Sequence, residues 1–450
     1  MTSDELKTVL QSAMDAHRAS DFAGAKKLYE EFLIHEPYRP DVLYNLALAL
    51  IALEDIKQAV YYLEQVLDKV PAHSDALNNL GALLLKQDQS EQALQCFSAV
   101  LAHNPDHLEA RNNLAGALLQ LGRYFHSAPH YKLYLEKMPD DISALYSFGL
   151  CLIELGEFEE AIIQFQKILA QNPEHVDAIS NIGIAYLKSG NIQKAESYFK
   201  TVLEKMPNNP EIAYLYSAMT QKDMPDKPPE EYIQHLFDQY AGYYEKHIVD
   251  TLHYDTPRLL LNLLEKHLPD LSQKNKSQNT YQHQLEFQHL NWNILDLGCG
   301  TGLSGLAFCH LAKNLTGVDL SEKMLDIAKQ KNIYNYLILD DIVNFLSENN
   351  IVFDLILAAD TFNYLGDLSK LLKLCKLALK DKAYLIFSIE LLEDNSKNWV
   401  LEPHGRYLHS KEYIEKLALK HGFSIIAIEN AALREQNHIS VNGCLCLLHS

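Results

Sequence analysis

Prolines recur through the first half of this 450-residue chain at a constant period of 34 residues. They are Pro37, Pro71, Pro105, Pro139, Pro173 and Pro207. A fixed period of this length is typical of arrays in which each unit buries its apolar face only against its neighbours. The first half is therefore predicted to be a repeat array, because one large globular core would not need a regular spacing.

Two further columns of residues keep the same period. A small residue lies ten positions after each of five prolines, and an aromatic residue recurs in most units. The small residues are Ala47, Gly81, Ala115, Gly149 and Gly183, and the aromatics are Tyr29, Phe97, Tyr131, Phe165 and Phe199. Small residues permit two helices to cross closely, and the rings can fill the gaps between helix pairs. Residues 4–207 resemble the tetratricopeptide repeat, which implies an all-α solenoid of about six repeats with a concave groove.

An asparagine column lies on the first helix of the predicted repeats. It consists of Asn45, Asn79, Asn113 and Asn181, with Ser147 at the intervening position. Amides at constant spacing can donate to and accept from the backbone of an extended peptide, and columns resembling this one line the peptide groove of tetratricopeptide glycosyltransferases. The alternative is that the amides bond neighbouring helices and set the curvature. The first reading predicts a protein or peptide partner in the groove.

Three alternating glycines follow an apolar stretch in the second half of the chain. Gly298, Gly300 and Gly302 come directly after Ile294–Leu297, and Asp319 follows seventeen residues after the last of them. Glycines at this spacing let the backbone turn sharply and approach a ligand closely. A dinucleotide fingerprint needs a glycine at the position of Leu303. S-adenosylmethionine, which lacks a pyrophosphate, therefore fits this loop better than NAD.

Strands and helices alternate from residue 293 onward, which predicts a Rossmann-like, mostly parallel sheet of seven strands whose last two strands pair antiparallel. Ligands of such sheets bind at the carboxyl ends of the strands. We expect Asp319 to accept hydrogen bonds from the ribose hydroxyls and Asp341 to accept one from the adenine amino group. Ile342 would pack on one face of the adenine, and Leu320 and Met324 on the other.

Residues 231–450 resemble a class I S-adenosylmethionine-dependent methyltransferase. The whole chain resembles the bacterial predicted methyltransferases that carry tetratricopeptide repeats. The matching segments include residues 237–241, 247–254, 296–302, 317–321, 359–368, 387–390 and 405–410. One departure is Asp381-Lys382, where methyltransferases often have Pro-Gly or Gly-Gly. The resemblance implies the fold and the cofactor, and it leaves the methyl acceptor undefined.

Candidate site residues follow from these patterns. The catalytic candidates are Asp360 and Tyr364, expected at the end of the fourth strand. The cofactor-binding candidates are Asp296, Gly298, Cys299, Gly300, Gly302, Asp319, Leu320, Met324, Asp341, Ile342 and three lid tyrosines, Tyr240, Tyr244 and Tyr254. The rings of a tyrosine lid can contact a sulfonium through cation–π interactions, although ordinary packing explains them equally well. Glu390, Arg406 and His409 are candidates to line the acceptor pocket, and the alternative for Arg406 and His409 is that they cap or brace a helix.

Composition restricts the remaining possibilities. The formal net charge is −20 and is spread over both halves, which disfavours nucleic acid as the principal partner. Seven cysteines without a C-x-x-C pair indicate free thiols, and no metal site is predicted. The start of the chain is polar and acidic, and no apolar run is long enough to span a membrane, so we expect a cytoplasmic protein without membrane insertion.

The predicted domains are a solenoid over residues 1–207, a proline-rich linker over residues 208–230 and a methyltransferase domain over residues 231–450. Within the last, residues 231–292 would hold lid helices and a polar insertion, and residues 293–450 the catalytic sheet. The leading hypothesis is a methyltransferase acting on a protein or peptide held by the repeats. The alternatives are a small-molecule methyltransferase with repeats used for assembly, and a scaffold that binds the cofactor without turnover.

Overall fold

A computed structural model describes residues 1–245, 248–249, 252–268, 291–436 and 439–450 of the chain. The chain forms two compact units, residues 1–185 and residues 186–450. The polar insertion, predicted over residues 271–291, lies outside the described residues except for Asn291. His247, at the start of the matching segment 247–254, also lies outside them. Among the described residues, no helix combines the length and apolarity that crossing a membrane requires.

The first unit is built from helices, as the repeat pattern predicted. Its helices are α1 (Ser3–Arg18), α2 (Phe22–His35), α3 (Pro40–Ala52), α4 (Ile56–Lys69), α5 (Ser74–Lys86), α6 (Ser90–His103), α7 (Leu108–Gln120), α8 (Tyr124–Leu135), α9 (Ile142–Glu154), α10 (Phe158–Gln171) and α11 (Val176–Lys188), the last of which continues past the boundary.

The proline column marks where one helix pair ends and the next begins. Each proline lies two residues before the N-cap of a first helix. His73 and His107 cap α5 and α7 by accepting at Nδ1 from the N–H of Ala76 and Ala110, each over 3.2 Å. Capping satisfies backbone donors that the first helical turn leaves without partners. The 34-residue period is therefore a period of helix starts.

The small and aromatic columns meet inside the repeats. A Cβ added at Gly149 would lie 2.5 Å from the Phe165 ring, and one at Gly81 would lie 2.6 Å from the Phe97 ring. Both rings are fully buried. The expected close crossing of helices is confirmed at these two repeats, but the ring lies between the two helices of one pair and not, as predicted, between neighbouring pairs.

The second unit contains one sheet and the helices around it. The helices are α12 (Ile192–Lys205), α13 (Pro210–Thr220), α14 (Glu230–Tyr240), α15 (Thr256–His267), α16 (Leu303–Phe308), α17 (Glu322–Gln330), α18 (Ile342–Glu348), α19 (Ser369–Ala378) and α20 (Lys411–Lys420). The strands are β1 (Trp292–Leu297), β2 (Ala312–Asp319), β3 (Tyr336–Leu339), β4 (Phe353–Ala358), β5 (Leu379–Leu391), β6 (Trp399–Leu401), β7 (Tyr407–His409), β8 (Ser424–Gln436) and β9 (Ile439–His449).

The sheet is mostly parallel, as predicted. Its order is β3-β2-β1-β4-β5, after which β5 pairs antiparallel with β9, and β9 antiparallel with β8. The predicted count of seven strands was too low for the described residues, because the short strands β6 and β7 add to the end of β5. Three-residue strands leave no periodic pattern in the sequence, so they were missed. Apolar clusters cover the sheet on both faces.

The segment predicted as a linker is ordered and packs against the sheet unit. Helix α13 lies within it, and the Tyr214 hydroxyl donates to the Gly405 carbonyl oxygen over 2.8 Å. Beyond α13, the Asp226 carbonyl accepts from the Gly366 N–H over 2.7 Å, and the Pro225 carbonyl accepts from the Tyr407 hydroxyl over 2.6 Å. The proline cluster therefore lies between α13 and α14 and does not form a free spacer. The exact domain limits remain a prediction.

Candidate active site

A cavity of about 190 Å³ lies at the carboxyl ends of the central strands. Twelve of the fifteen predicted catalytic and cofactor-binding residues line it. They are Tyr240, Tyr244, Tyr254, Gly298, Gly300, Asp319, Leu320, Met324, Asp341, Ile342, Asp360 and Tyr364. Asp296, Cys299 and Gly302 are not part of its wall. The individual roles of all fifteen remain predictions.

The glycine loop leaves β1 with a left-handed backbone. Gly298, Gly300 and Gly302 have φ angles of +66°, +52° and +93°, which side chains disfavour. A Cβ at Gly298 would collide with the Thr361 side chain, whose hydroxyl donates to the Leu297 carbonyl over 2.8 Å. A Cβ at Gly300 would meet no protein atom within 4 Å. Gly300 therefore exposes its backbone to the cavity itself.

Asp319 is held in place by the loop it faces. Its Oδ2 accepts from the Gly300 N–H over 2.8 Å, and its Oδ1 accepts from the Ser321 N–H over 2.9 Å. Burial raises the pKa of this carboxyl above its ordinary value, while these backbone donors oppose the rise. Each carboxylate oxygen keeps a further acceptor position, so the group is fixed and can still bind two hydroxyls.

Asp296 lies beneath the loop and is fully buried. Its Oδ2 accepts from the Tyr334 hydroxyl over 2.7 Å, and its Oδ1 has no hydrogen-bond partner. Burial raises the pKa of Asp296 to about 7, and the Tyr334 hydroxyl opposes that rise. The Tyr334 ring also occupies the space that side chains at Gly305 and Gly317 would need. Asp296 therefore bonds Tyr334 and does not line the cavity, and its predicted contact with the cofactor stays a prediction.

The opposite end of the cavity carries the residues predicted to bind adenine. Asp341 caps α18, because its Oδ1 accepts from the N–H groups of Val343 and Asn344 over 2.9 and 3.0 Å. Its Oδ2 lies 3.9 Å from Nζ of Lys227, which also donates to Glu230 over 2.6 Å. One carboxylate oxygen is thus committed to the helix, and the other borders the cavity.

The tyrosine lid is tied to the rest of the site. The rings of Tyr240 and Tyr244 meet edge to face at 4.9 Å between centroids. Asp238, beside them on α14, accepts a hydrogen bond from the Ser321 hydroxyl, and Glu245 pairs with Lys331. These contacts hold the aromatic wall over the strand ends.

Three members of a cluster of four charged residues form the other wall, and the fourth, Glu390, lies behind them. Asp360 Oδ2 lies 3.0 Å from Nη2 of Arg406 and 3.2 Å from Nη1 of Arg434. Glu390 Oε1 lies 2.5 Å from Nε of Arg406 and 2.8 Å from Nη2 of Arg434. Burial alone would raise the pKa of Glu390, but the two guanidinium groups outweigh it and hold that pKa below its ordinary value. Arg406 also donates to the Tyr364 hydroxyl over 2.8 Å.

The three acceptor-pocket candidates separate in the structure. Arg406 lines the cavity, while Glu390 lies behind it at 2% exposure. His409 is fully buried, contacts the Gly366 carbonyl at 3.0 Å and does not line the cavity. Burial lowers the pKa of His409 to about 4, which keeps the ring neutral. Its contacts are those of a structural brace.

Sequence reasoning missed several residues of the wall. Lys227, Pro228 and Arg434 line the cavity but come from the supposed linker and from an edge strand. No motif marks them. Arg434 lies in β8 among other charged and polar residues, so its position in the sequence does not single it out.

The asparagine column lies in the first unit, where it bonds adjacent repeats. Asn79 and Asn181 donate to the hydroxyls of Tyr44 and Tyr146 over 2.9 and 3.0 Å. Asn113 donates to Oδ1 of Asn78 over 3.0 Å. Three of the four asparagines therefore bond neighbouring helices, as the alternative interpretation predicts. These side chains remain partly exposed, so peptide binding by the column stays a prediction.

The residues around the cavity fit an adenosine-containing sulfonium. Gly300 leaves a space that a Cβ would fill, Asp319 offers fixed acceptors, and tyrosine rings face the same space. Cation–π contacts suit a positively charged sulfur. Among the described residues, no group of three or more His, Cys, Asp or Glu side chains could hold a metal ion.

Comparison with known proteins agrees with this division of the chain. Residues 295–387 match the methyltransferase domain family. Tetratricopeptide repeat families match residues 10–74, 50–102, 78–142 and 152–219.

The curated relatives that the chain matches are named methyltransferases, and each match covers less than a third of the chain. The ubiquinone biosynthesis O-methyltransferase of Coxiella burnetii is 33% identical over 102 residues, covering 21% of this chain and 42% of that protein. The enzyme of the same name from Idiomarina loihiensis is 26% identical over 155 residues, covering 31% and 63%. The demethylmenaquinone methyltransferase of Thermotoga maritima is 34% identical over 117 residues, covering 26% and 50%. This chain thus spans about half the length of these relatives. It combines tetratricopeptide repeats with a methyltransferase domain.

Proposed function

We propose that this chain transfers a methyl group from S-adenosylmethionine to a protein or peptide recruited by its repeats. The enzymatic part rests on one observation. The glycine loop, the strand-end carboxylates and the tyrosine lid all border the same cavity, which also reaches Asp360 and Tyr364.

The bound cofactor supplies an electrophilic methyl group on a sulfonium, and the protein contributes alignment and exclusion of water. Asp319 binds the ribose hydroxyls through the acceptor positions that Gly300 and Ser321 leave open. Asp341 accepts from the adenine amino group at Oδ2. The side chains of Leu320, Met324 and Ile342 enclose the adenine ring.

Tyr364 orients the acceptor, in this proposal, by donating a hydrogen bond from its hydroxyl. Burial raises the pKa of Tyr364, so it keeps its proton at neutral pH. Arg406 donates to the same oxygen and lies over the ring at 4.8 Å from its centroid, which fixes the side chain. Asp360 positions Arg406 and Arg434, since both guanidinium groups reach its Oδ2.

Recruitment by the repeats is tested with the full chain. Lysate is incubated with methyl-labelled cofactor and either the wild type or the variant with Asn45, Asn79, Asn113 and Asn181 all changed to Ala. We expect label in protein to fall about tenfold or more with the affinity for the cofactor unchanged. Gln95→Ala with Gln166→Ala removes exposed amides from second helices and serves as the control.

A second candidate is a small-molecule methyltransferase whose repeats serve assembly. Two observations favour it. The relatives are named ubiquinone biosynthesis O-methyltransferase and demethylmenaquinone methyltransferase, and three column amides bond neighbouring repeats. In that case the label enters the low-mass fraction and the asparagine variant changes nothing. Cofactor binding without any transferred label would instead indicate a scaffold.

A further inference from the structure

The cluster of Asp360, Glu390, Arg406 and Arg434 carries no net charge, but both of its arginines and only one of its carboxylates border the cavity next to Tyr364. Two guanidinium groups, Arg406 and Arg434, and one carboxylate, Asp360, border the cavity there. The second carboxylate, Glu390, is 2% exposed and lies behind them. The acceptor therefore meets two cationic groups and one anionic group.

The guanidinium of Arg406 forms ion pairs with these carboxylates, but two of its nitrogens make no well-aligned hydrogen bond to them. Its Nε and Nη2 lie 2.5 and 3.0 Å from Glu390 and Asp360, yet neither nitrogen makes a hydrogen bond of good geometry, and both are buried. Such donors are costly to leave without a partner. Planar guanidinium groups bind carboxylates through paired N–H groups, and a second arginine beside the first strengthens that preference.

We infer that the methyl acceptor presents a carboxylate to Arg406 and Arg434, and that the product is a methyl ester. This inference rests on the proposed methyl transfer and names the acceptor group for it.

A carboxylate also fits the chemistry of the neighbouring groups. A neutral hydroxyl or an ammonium has to lose a proton before it can accept a methyl group, which requires a base. The Asp360 carboxylate is poorly suited to be that base, because two guanidinium groups and the Asn363 amide, at 2.7 Å, already bind it. Burial raises the pKa of Tyr244 and Tyr254, so these hydroxyls keep their protons. A cationic acceptor would be repelled by the arginines and by the sulfonium.

The step balances without proton transfer. A lone pair of the carboxylate oxygen forms the O–C bond to the methyl carbon, the C–S bond breaks, and its electron pair stays on sulfur. The carboxylate and the sulfonium both lose their charge, leaving a neutral ester and a neutral thioether. Apolar side chains at Ile248, Leu252 and Phe237 border the same cavity and exclude water from the attacking oxygen.

The test follows the fate of transferred label. Full-length protein is incubated with lysate and methyl-labelled cofactor, protein and low-mass products are separated, and each is treated with mild alkali. Methyl esters release volatile methanol, whereas methyl ethers and methylamines do not. We expect most of the label to become volatile. If the protein sample releases it, the carboxylate belongs to a protein, and if the low-mass sample releases it, the carboxylate belongs to a small molecule.

Label that is transferred but stays alkali-stable overturns the ester assignment and leaves the proposed function intact. If no label is transferred at all, both the ester assignment and the proposed function are overturned. Arg434→Gln should lower transfer about tenfold or more, while calorimetry with S-adenosylmethionine shows an unchanged affinity and so a folded protein. Arg258→Gln removes an exposed arginine of α15 and should change neither value. Equal transfer by Arg434→Gln and the wild type would contradict the role of the arginine pair.

Discussion

The two units of this chain use regularly placed polar side chains in different ways. In residues 1–185, amides recur every 34 residues, and three of the four bond the adjacent repeat. In residues 186–450, carboxylates follow successive strands, and Asp319, Asp341 and Asp360 all reach one cavity. A solenoid keeps its repeated positions apart, whereas a parallel sheet brings its strand ends to one edge. Regularly spaced polar residues thus make separate contacts along the repeats in one unit and line a single cavity in the other.

Glycines differ between the units in the same way. Gly149 and Gly81 give room to a ring of the protein itself. Gly300 gives room to the cavity, where no protein atom lies within 4 Å of the missing Cβ. Gly81 and Gly149 are needed for packing, whereas Gly300 is proposed to make room for a ligand, and substitutions can separate these requirements.

The largest effect is expected from Gly300→Val. The branched side chain would occupy the cavity beside Asp319, so the affinity for S-adenosylmethionine should fall roughly hundredfold or more in calorimetry, about 2.7 kcal/mol. Gly156→Ala is the control, because Gly156 also has a positive φ, +78°, with no atom near its missing Cβ, but belongs to the repeats. An equal loss of affinity in the control would remove the distinction between the two kinds of glycine.

The next largest effect is the dependence of the unfolding free energy on pH, which Asp296 should cause. Its pKa is about 7 when folded against an ordinary value of 3.8, so between these values the folded chain binds the extra proton. Stability should therefore fall as the pH rises toward 7, by about 2 kcal/mol between pH 5 and pH 8. Asp296→Asn should flatten this dependence in denaturant titrations, and Asp326→Asn, at an exposed position on α17, should not. A wild-type stability that rises over this range would contradict the assignment.

Gly149→Ala should act on the repeats alone. Its Cβ would lie 2.5 Å from the Phe165 ring, and the ring would have to shift within a packed core. We expect a loss of about 1–3 kcal/mol in unfolding free energy. Cofactor affinity measured on the same sample should match the wild type, and a change in it would show that the two units are coupled.

The smallest effect is expected from Asn113→Ala, which removes one bond to Asn78. Stability should fall by about 1 kcal/mol, the usual net value of a hydrogen bond. Gln95→Ala, an exposed amide on α6, is the matched control. If both substitutions leave the stability unchanged while partner capture falls, the column serves binding more than the joining of repeats.

Much of the fold follows from local patterns that a single sequence displays. The repeat period, the glycine spacing and the alternation of strands and helices each reflect backbone geometry, so the two domain types and the convergence of Asp319 and Asp341 could be predicted. Residues that reach the cavity only through the folding of distant chain segments could not be predicted. Lys227 and Arg434 enter the cavity wall because of chain segments distant in sequence, and Tyr334 supports the loop through a contact that no spacing rule predicts.

Calorimetry with S-adenosylmethionine tests the central claim most directly. We predict one cofactor bound per wild-type chain, and an affinity lowered roughly hundredfold or more by Asp319→Ala, with Asp326→Ala equal to the wild type. Failure of the wild type to bind, or equal binding by Asp319→Ala, would contradict the account.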